Sequence, residues 1–578
     1  MVILSKFATV LSLVVATKAR VPITAVDVQS LNALNATVGG RLHTAKPVSS
    51  PCFSTFDGEF VGRDEAACAV VEAGYVDTLY RTSQFGAYVV PQWETCQATS
   101  RGCLLNNNDP SDPQAWQTAN CSQGSVPPYY VNVTSPSDVA AALRFSRQNQ
   151  VPLTVKNSGH DYKGRSSLPG ALALWTRNIK GLTYHVAFVP TGCGQSTAYH
   201  AITIGAGVMW QEAYQFADSH NVTIIGGYHQ SVGASGGWLL GGGHSVLSPV
   251  FGLGVDRVVQ FEVVTADGVL RTANECQNQD LFFALRGGGG NAFGVVMSST
   301  QVVEPRPIPL QVAFVSYDAA DVGSQAAWVE LMVDKASKWG QEGWGGHILP
   351  NNLIYVNPLQ SLEDAKASMT DAVAFAQAHN GTAVVETLPN WLSFFNKYVL
   401  AAEATVGPSA IIGSRLIPTV NFASPSDRTA LSKAIVNSFP QGPLYIVAAT
   451  PVLYNGSYGG GRTSVTPAWR DSLWHLTIHG AWDYNAPLSV SEAVYRNMSV
   501  DVVGSLRALA PNSGSYFNEG DVYEVDHEQS YWGKNYQELL KVKQKYDPAH
   551  LLDCWQCVGW KGTSDENYSC YPHILAPN

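Results

Sequence analysis

Residues 155–167 read "VKNSGHDYKGRSS", a strand-like run that breaks into a loop of Gly, Ser, Asn and Asp around one histidine, His160. A lone histidine in such a loop is by itself an ordinary solvated side chain. Its surroundings alter that reading. "YYVNV" (129–133) and "VPLTV" (151–155) have strand composition, and Ser135-Pro136-Ser137-Asp138 between them is a capping-box start for a helix carrying Val139, Ala142 and Leu143 on one side. This is a β-α-β unit, so His160 stands at the carboxyl end of a strand, where α/β sheets place ligands.

The chain has 578 residues, 45% hydrophobic and only 14% charged, which predicts a compact globular protein of two to four units at roughly 100–200 residues each. The N-terminal "MVILSKFATVLSLVVATKAR" has the layout of a cleaved secretory signal, with a mature start near Arg20 or Val21. Elsewhere nothing approaches the roughly 20 uninterrupted apolar residues of a membrane span. A secreted, extracellular, monomeric protein without a membrane anchor is expected. Its ten cysteines, an even count, predict disulfides; the CxxC of Cys554 and Cys557 is a weak zinc signal without a second pair. Eight sequons, at Asn35, Asn120, Asn132, Asn221, Asn380, Asn455, Asn497 and Asn567, agree with a glycosylating pathway. The formal net charge of −10 and the lack of a basic stripe exclude nucleic acid as a partner.

Further along, "VDRVVQFEVVTADGVLRT" (255–272) reads as a strand, an Asp-Gly turn and a return strand. From about Pro305 to Ala510 the glycine clusters thin out, and alternating strands with amphipathic helices such as 361–379 mark a different domain. "YWGKNYQELLKVKQKYDP" (531–548) reads as a helix ended by Asp547-Pro548. The glycine clusters at 233–243 and 287–290 could be tight turns. Following strands as they do, they also offer concave runs of backbone N–H suited to a pyrophosphate. There is no GxGxxG with a downstream acid and no GxxxxGK[ST], which disfavours a Rossmann dinucleotide site and a nucleotide triphosphatase.

Four motifs in order, "VKNSGHDYKGRSS", "GGYHQSVGASGGWLLGGGHSVLSPVFGLGVDRVVQFEVVTADG", "LFFALRGGGGNAFGVV" and "YWGKNYQELLKVKQKYDP", resemble the flavin-binding motifs of the vanillyl-alcohol oxidase superfamily, in its berberine bridge enzyme-like branch and near the secreted fungal isoamyl alcohol oxidase-like group. The resemblance spans nearly the whole mature chain. It implies an α+β protein: a two-lobed PCMH-type FAD-binding domain made from both chain ends, with an inserted substrate domain whose helix-covered antiparallel sheet roofs the flavin. The implied division is a signal over 1–20, a Cys-rich extension over 21–120, the FAD-binding domain over 121–305, the substrate domain over 306–510 and a closing segment over 511–578.

By the same resemblance, the loop of Lys156, Asn157, Ser158, Gly159, Asp161, Gly164 and Ser166 cradles the pyrophosphate, and His160 attaches to the flavin 8α-methyl carbon. Ser231, Val232, Gly233, Ser235, Gly236 and Gly237 line the flavin, with Gly242 and Gly243 beyond them, and Asn535 contacts the ring region. The attacking imidazole must be neutral and the backbone around it small, a shape that Ser158-Gly159 and Gly164 supply. Many relatives add a 6-S-cysteinyl bond from a G-x-C-P-T-x-G loop. Here "GYHQSVG" places His229 at the cysteine's position, so a single covalent link is expected, with His229 an ordinary histidine at the flavin edge. No metal is expected.

Oxidation of an alcohol needs a base within hydrogen-bond reach. In "SLWHLTIHGAWDYN" (472–485) the position that carries a carboxylate or amide in plant relatives aligns with Thr477, and in "SYFNEGD" (515–521) the family's tyrosine is replaced by Glu519. Glu519 is the expected base, with Tyr162, Tyr516, His475 and His479 as alternatives. The expected activity is that of an FAD oxidase passing electrons from a small-molecule substrate to O2. A flavin-dependent cyclase or dehydrogenase of secondary metabolism and a non-catalytic flavin-binding glycoprotein are the alternatives.

Overall fold

A computed structural model of the chain describes residues 20–194, 198–454, 456 and 458–574. All of the expected signal but its last residue, and the sequon asparagine Asn455, lie outside the described residues. No helix among them is long and apolar enough to cross a membrane.

The β-α-β unit forms from Tyr129–Asn132, the helix Pro136–Asn149 and Leu153–Lys156. Ser135 and Asp138 close the capping box read from the sequence. A strand the sequence reading passed over, Leu172–Trp175, lies parallel between the two and pairs with both. Its four residues are all buried, so it lacks the polar alternation that marks a half-exposed strand. The strand Leu42–Thr44 completes this sheet on the other side of Tyr129–Asn132. The segment before residue 121 is therefore woven into the sheet, and a disulfide from Cys96 to Cys570 ties it to the far end of the chain.

A five-stranded antiparallel sheet follows, ordered Leu270–Asn274, Val258–Val264, Val295–Val302, Tyr199–Gly205 and Leu182–Phe188. Asp267-Gly268 makes the expected hairpin between its first two strands. The middle block builds a seven-stranded antiparallel sheet, in which Ser472–Trp482 pairs with Ser409–Pro418 and Leu444–Ala448. The helices Val322–Gln341 and Pro425–Ser438 share its main core, where Trp328, Trp339, Trp344 and Trp474 are buried. The helical pattern read over 361–379 is two helices, Leu362–Ser368 and Thr370–Ala378; the chain leaves helical geometry at Met369, whose side chain is wholly buried. The C-terminal helix Tyr536–Tyr546 packs Leu539 and Val542 against Phe282, Phe293 and their neighbours from the five-stranded region. The fold is α+β, with the last 60 or so residues returning to the first lobe.

All ten cysteines are paired, as Cys52–Cys68, Cys96–Cys570, Cys103–Cys121, Cys193–Cys276 and Cys554–Cys557. The CxxC is thus a disulfide.

Candidate active site

A cleft with about 1260 Å³ of space free of protein atoms, open mouth included, runs between the first three motif segments and the stretch 515–521. One wall is the loop after Leu153–Lys156, with Asn157, Ser158, Gly159, His160, Asp161, Tyr162 and Ser166 on its surface. His229, Val232, Gly233, Ser235, Gly236 and Gly237 form the second, and Gly290 with Asn291 the third. Tyr516, Asn518 and Glu519 close it from the C-terminal segment.

Six of the residues expected to hold the cofactor do not line the cleft. Lys156 turns away from it: its Nζ donates to the carbonyls of Gln84 (3.3 Å), Phe85 (2.5 Å) and Ala87. Burial pushes its pKa down to about 7. A phosphate-binding lysine would keep its ammonium in the cleft, whereas this one pins the N-terminal extension beneath it. Gly164 has φ +72°, and an added Cβ would lie 2.3 Å from the Trp93 ring, so the absence of a side chain there serves packing. Gly242 and Gly243 back onto Val465 and Trp238. Asn535 Nδ2 donates to the Val465 carbonyl at 2.8 Å. Ser231 sits one layer behind the cleft, its Oγ 2.7 Å from His160 Nε2.

The remaining lining fits a large polar cofactor on two counts. Asn157 Oδ1, Ser166 Oγ and Asn291 Oδ1 are buried without a partner in the protein, which is costly unless a ligand satisfies them. A Cβ on Gly237 would meet no protein atom within 4 Å and would project into open space, whereas at Gly233 and Gly236 it would strike Asn157 at 2.8 and 2.9 Å. The chain keeps glycine both where its own backbone crowds and where a ligand would lie.

Beyond this cradle sits a cluster that joins distant segments. His475 Nε2 donates to Glu519 Oε2 at 2.9 Å, and His244 Nε2 donates to Oε1 at 3.2 Å. His475 belongs to the strand Ser472–Trp482, where Thr477 and His479 share its face at the two-residue period. Burial pushes the Glu519 carboxyl up, but the charge and hydrogen bonds of His244 and His475 outweigh it and hold Glu519 well below the usual carboxylate range. Tyr162 and Tyr516 are both raised, first by burial and then by the Glu519 charge, so they remain phenols. His479 lies outside the lining, and burial holds it at about 4. Among the candidates, only Glu519 presents an ionised acceptor to the cleft, with 26% of its side chain exposed.

His244 was not singled out from sequence, although it ends the quoted run Gly241-Gly242-Gly243-His244; a histidine flanked by glycines in a ligand loop was the available signal. His244, His475 and Glu519 have the makeup of a metal site, with donor atoms within 4.8 Å of one another. Their two hydrogen bonds account for the arrangement without an ion. In the first wall, burial and then the neighbouring His229 ring push His160 well below the ordinary imidazole range, leaving it neutral.

Comparison with known proteins agrees with this geometry. A family profile described as FAD binding domain matches residues 127–274, and one described as berberine and berberine like matches 515–558. The FAD-linked oxidoreductase ffsJ of Aspergillus flavipes is 41% identical, over 93% of this chain and 93% of that protein. The bifunctional decalin synthase calF of Penicillium decumbens is 29% identical over 91% and 90%. The VAO-type flavoprotein MtVAO615 of Myceliophthora thermophila C1 superposes with a TM-score of 0.78 at 27% identity, covering 94% of this chain and 97% of that one. The chain belongs to the FAD-linked oxidoreductases of the vanillyl-alcohol oxidase superfamily, in its berberine bridge enzyme-like branch. It is an oxidoreductase with FAD as its cofactor.

Proposed function

We propose that the protein is a secreted oxidase that removes a hydride from an alcohol or related carbon of a small organic or secondary-metabolite substrate and reduces O2 to hydrogen peroxide. The observation that carries this reading is the Glu519 carboxylate, clasped by His475 and His244 at the cleft. FAD supplies the hydride acceptor, held by one covalent bond from His160 to its 8α carbon, with no 6-S-cysteinyl bond because His229 stands in the cysteine's place. Glu519 takes the substrate hydroxyl proton as the hydride leaves. The two imidazoles keep the carboxylate ionised and aimed, and the Tyr162 and Tyr516 hydroxyls hydrogen-bond the substrate oxygen. An alcohol, carbohydrate and phenol panel with peroxidase-coupled detection tests the reading: a substrate that reduces the flavin and yields peroxide supports it.

A second reading, an oxidative cyclase or dehydrogenase of secondary metabolism, is favoured by the similarity to the bifunctional decalin synthase. It is distinguished by a ring-closed product, for the cyclase, or by turnover that requires an electron acceptor other than O2 and yields no peroxide, for the dehydrogenase.

A further inference from the structure

Behind His160 lies a chain of polar groups that the oxidation chemistry does not use. His160 Nε2 meets Ser231 Oγ at 2.7 Å, and Thr78 Oγ1 holds the same hydroxyl from the other side at 2.9 Å. Ser231 Oγ lies 3.3 Å from His229 Nδ1, and the Ser231 N–H donates to that nitrogen at 3.4 Å, which makes Nδ1 the acceptor of the neutral His229 ring. His229 Nδ1 in turn faces Glu403 Oε1 at 3.2 Å. Glu403 comes from the middle block and is fixed by both the backbone N–H (2.7 Å) and the side-chain amide (2.6 Å) of Gln230. The His160 and His229 rings stand edge to face, with centroids 4.7 Å apart.

We propose that Ser231, His229 and Glu403 form a proton relay that serves covalent attachment of the flavin at His160. The proposal rests on His160 being the attachment point. Attachment breaks one C–H bond of the 8α-methyl and one N–H bond of the imidazole and forms the C–N bond. The two electrons and the methyl proton pass to the flavin ring, and O2 takes up the electrons with two protons to leave as hydrogen peroxide. With Nε2–H donated to Ser231, the lone pair of His160 lies on Nδ1, the atom left to bond carbon. The alkylated ring then carries a positive charge until Nε2 gives its proton to Ser231 Oγ, which passes its own to His229 Nδ1. Glu403 stabilises the resulting imidazolium. His160 and His229 are both depressed by burial, so both start neutral, as the relay requires.

The test follows covalent flavin, not turnover. Full-length protein from riboflavin-starved cells is given FAD, and acid-stable flavin is followed by in-gel fluorescence and intact mass. Wild type is expected to attach flavin, and His160→Ala to bind FAD but release all of it in acid. Ser231→Ala and Glu403→Gln are expected to bind FAD and attach it about a hundredfold more slowly, with rates that recover as pH rises. Ser231→Thr, which keeps the hydroxyl, is expected to retain the wild-type rate, and added imidazole to accelerate His229→Gly. Attachment by Ser231→Ala and Glu403→Gln at the wild-type rate and pH profile overturns the relay. Complete release of flavin from wild type overturns the covalent link itself, and the relay with it.

Discussion

His475 Nε2 donates to the Glu519 carboxylate at 2.9 Å, joining a strand of the seven-stranded sheet to the segment that closes the cleft. The carboxylate is ionised, held by two imidazole N–H donors and partly open to the cleft, which places it as a proton acceptor. Glu519→Gln keeps the size and the hydrogen-bonding capacity of the side chain while removing its basicity. Flavin reduction by substrate is expected to slow by about 10²–10⁴-fold with flavin content unchanged; stopped-flow bleaching of the flavin absorbance measures it.

Stability depends on pH through the same neighbourhood. His347 and His479 are each pushed by burial from the ordinary 6.5 down to about 4. Below about 6.5 the unfolded chain takes up protons at these rings while the folded protein does not. Stability therefore declines as pH falls from 6.5 toward 4, by at most ~1.4 kcal/mol per pH unit for each ring. Glu519, with its lowered pKa, contributes stability that begins to be lost as pH falls below about 4.5 and so adds to the decline at the acid end of that window. Thermal unfolding from pH 7 to 4 is expected to show the decline, and His479→Gln to flatten it.

Lys156 gives a prediction opposite to the one its motif suggests. Lys156→Met removes the lysine donor from the buried Phe85 and Ala87 carbonyls, and is expected to cost about 2–3 kcal/mol of stability. Denaturant unfolding measures the loss, and the protein that does fold is expected to keep its flavin stoichiometry.

Gly237→Ala separates cofactor space from protein packing. The added methyl meets nothing of the chain within 4 Å, so unfolding without flavin is expected to match wild type. The flavin-to-protein ratio is expected to drop about tenfold or more, read from the absorbance spectrum; an unchanged ratio would remove this part of the cleft from the cofactor's path.

The Cys96–Cys570 bond spans a sequence separation of 474 residues. Cys96→Ser with Cys570→Ser is expected to lower stability by about 2–5 kcal/mol, seen as a lower thermal midpoint with the other four disulfides intact.

The parts of the molecule legible in the sequence were those specified locally. The helix from Pro136 announces itself by its capping box, and the loop around His160 by its glycines and the strand before it. Both were placed because a few neighbouring residues suffice. The Glu519 clasp was half legible: Glu519 and His475 were named, but His244 stands 275 positions from its carboxylate partner, and no local pattern records that pairing. Glu403, 173 residues from Gln230, was invisible for the same reason. Lys156 was placed in the cleft because the motif supplies its neighbours but not its orientation. Leu172–Trp175 was missed because a strand buried on both faces carries no alternation.

The cleft has one further consequence, for the order in which the protein is made. Arg165 in its first wall reaches the Phe517 carbonyl 352 residues later, and Asn518 and Glu519 stand beside that carbonyl on the closing side. A nascent chain still on the ribosome lacks this side until almost all of it has been synthesised. A truncated product ending before Tyr516 has the first three walls of the cleft and lacks the side that closes it.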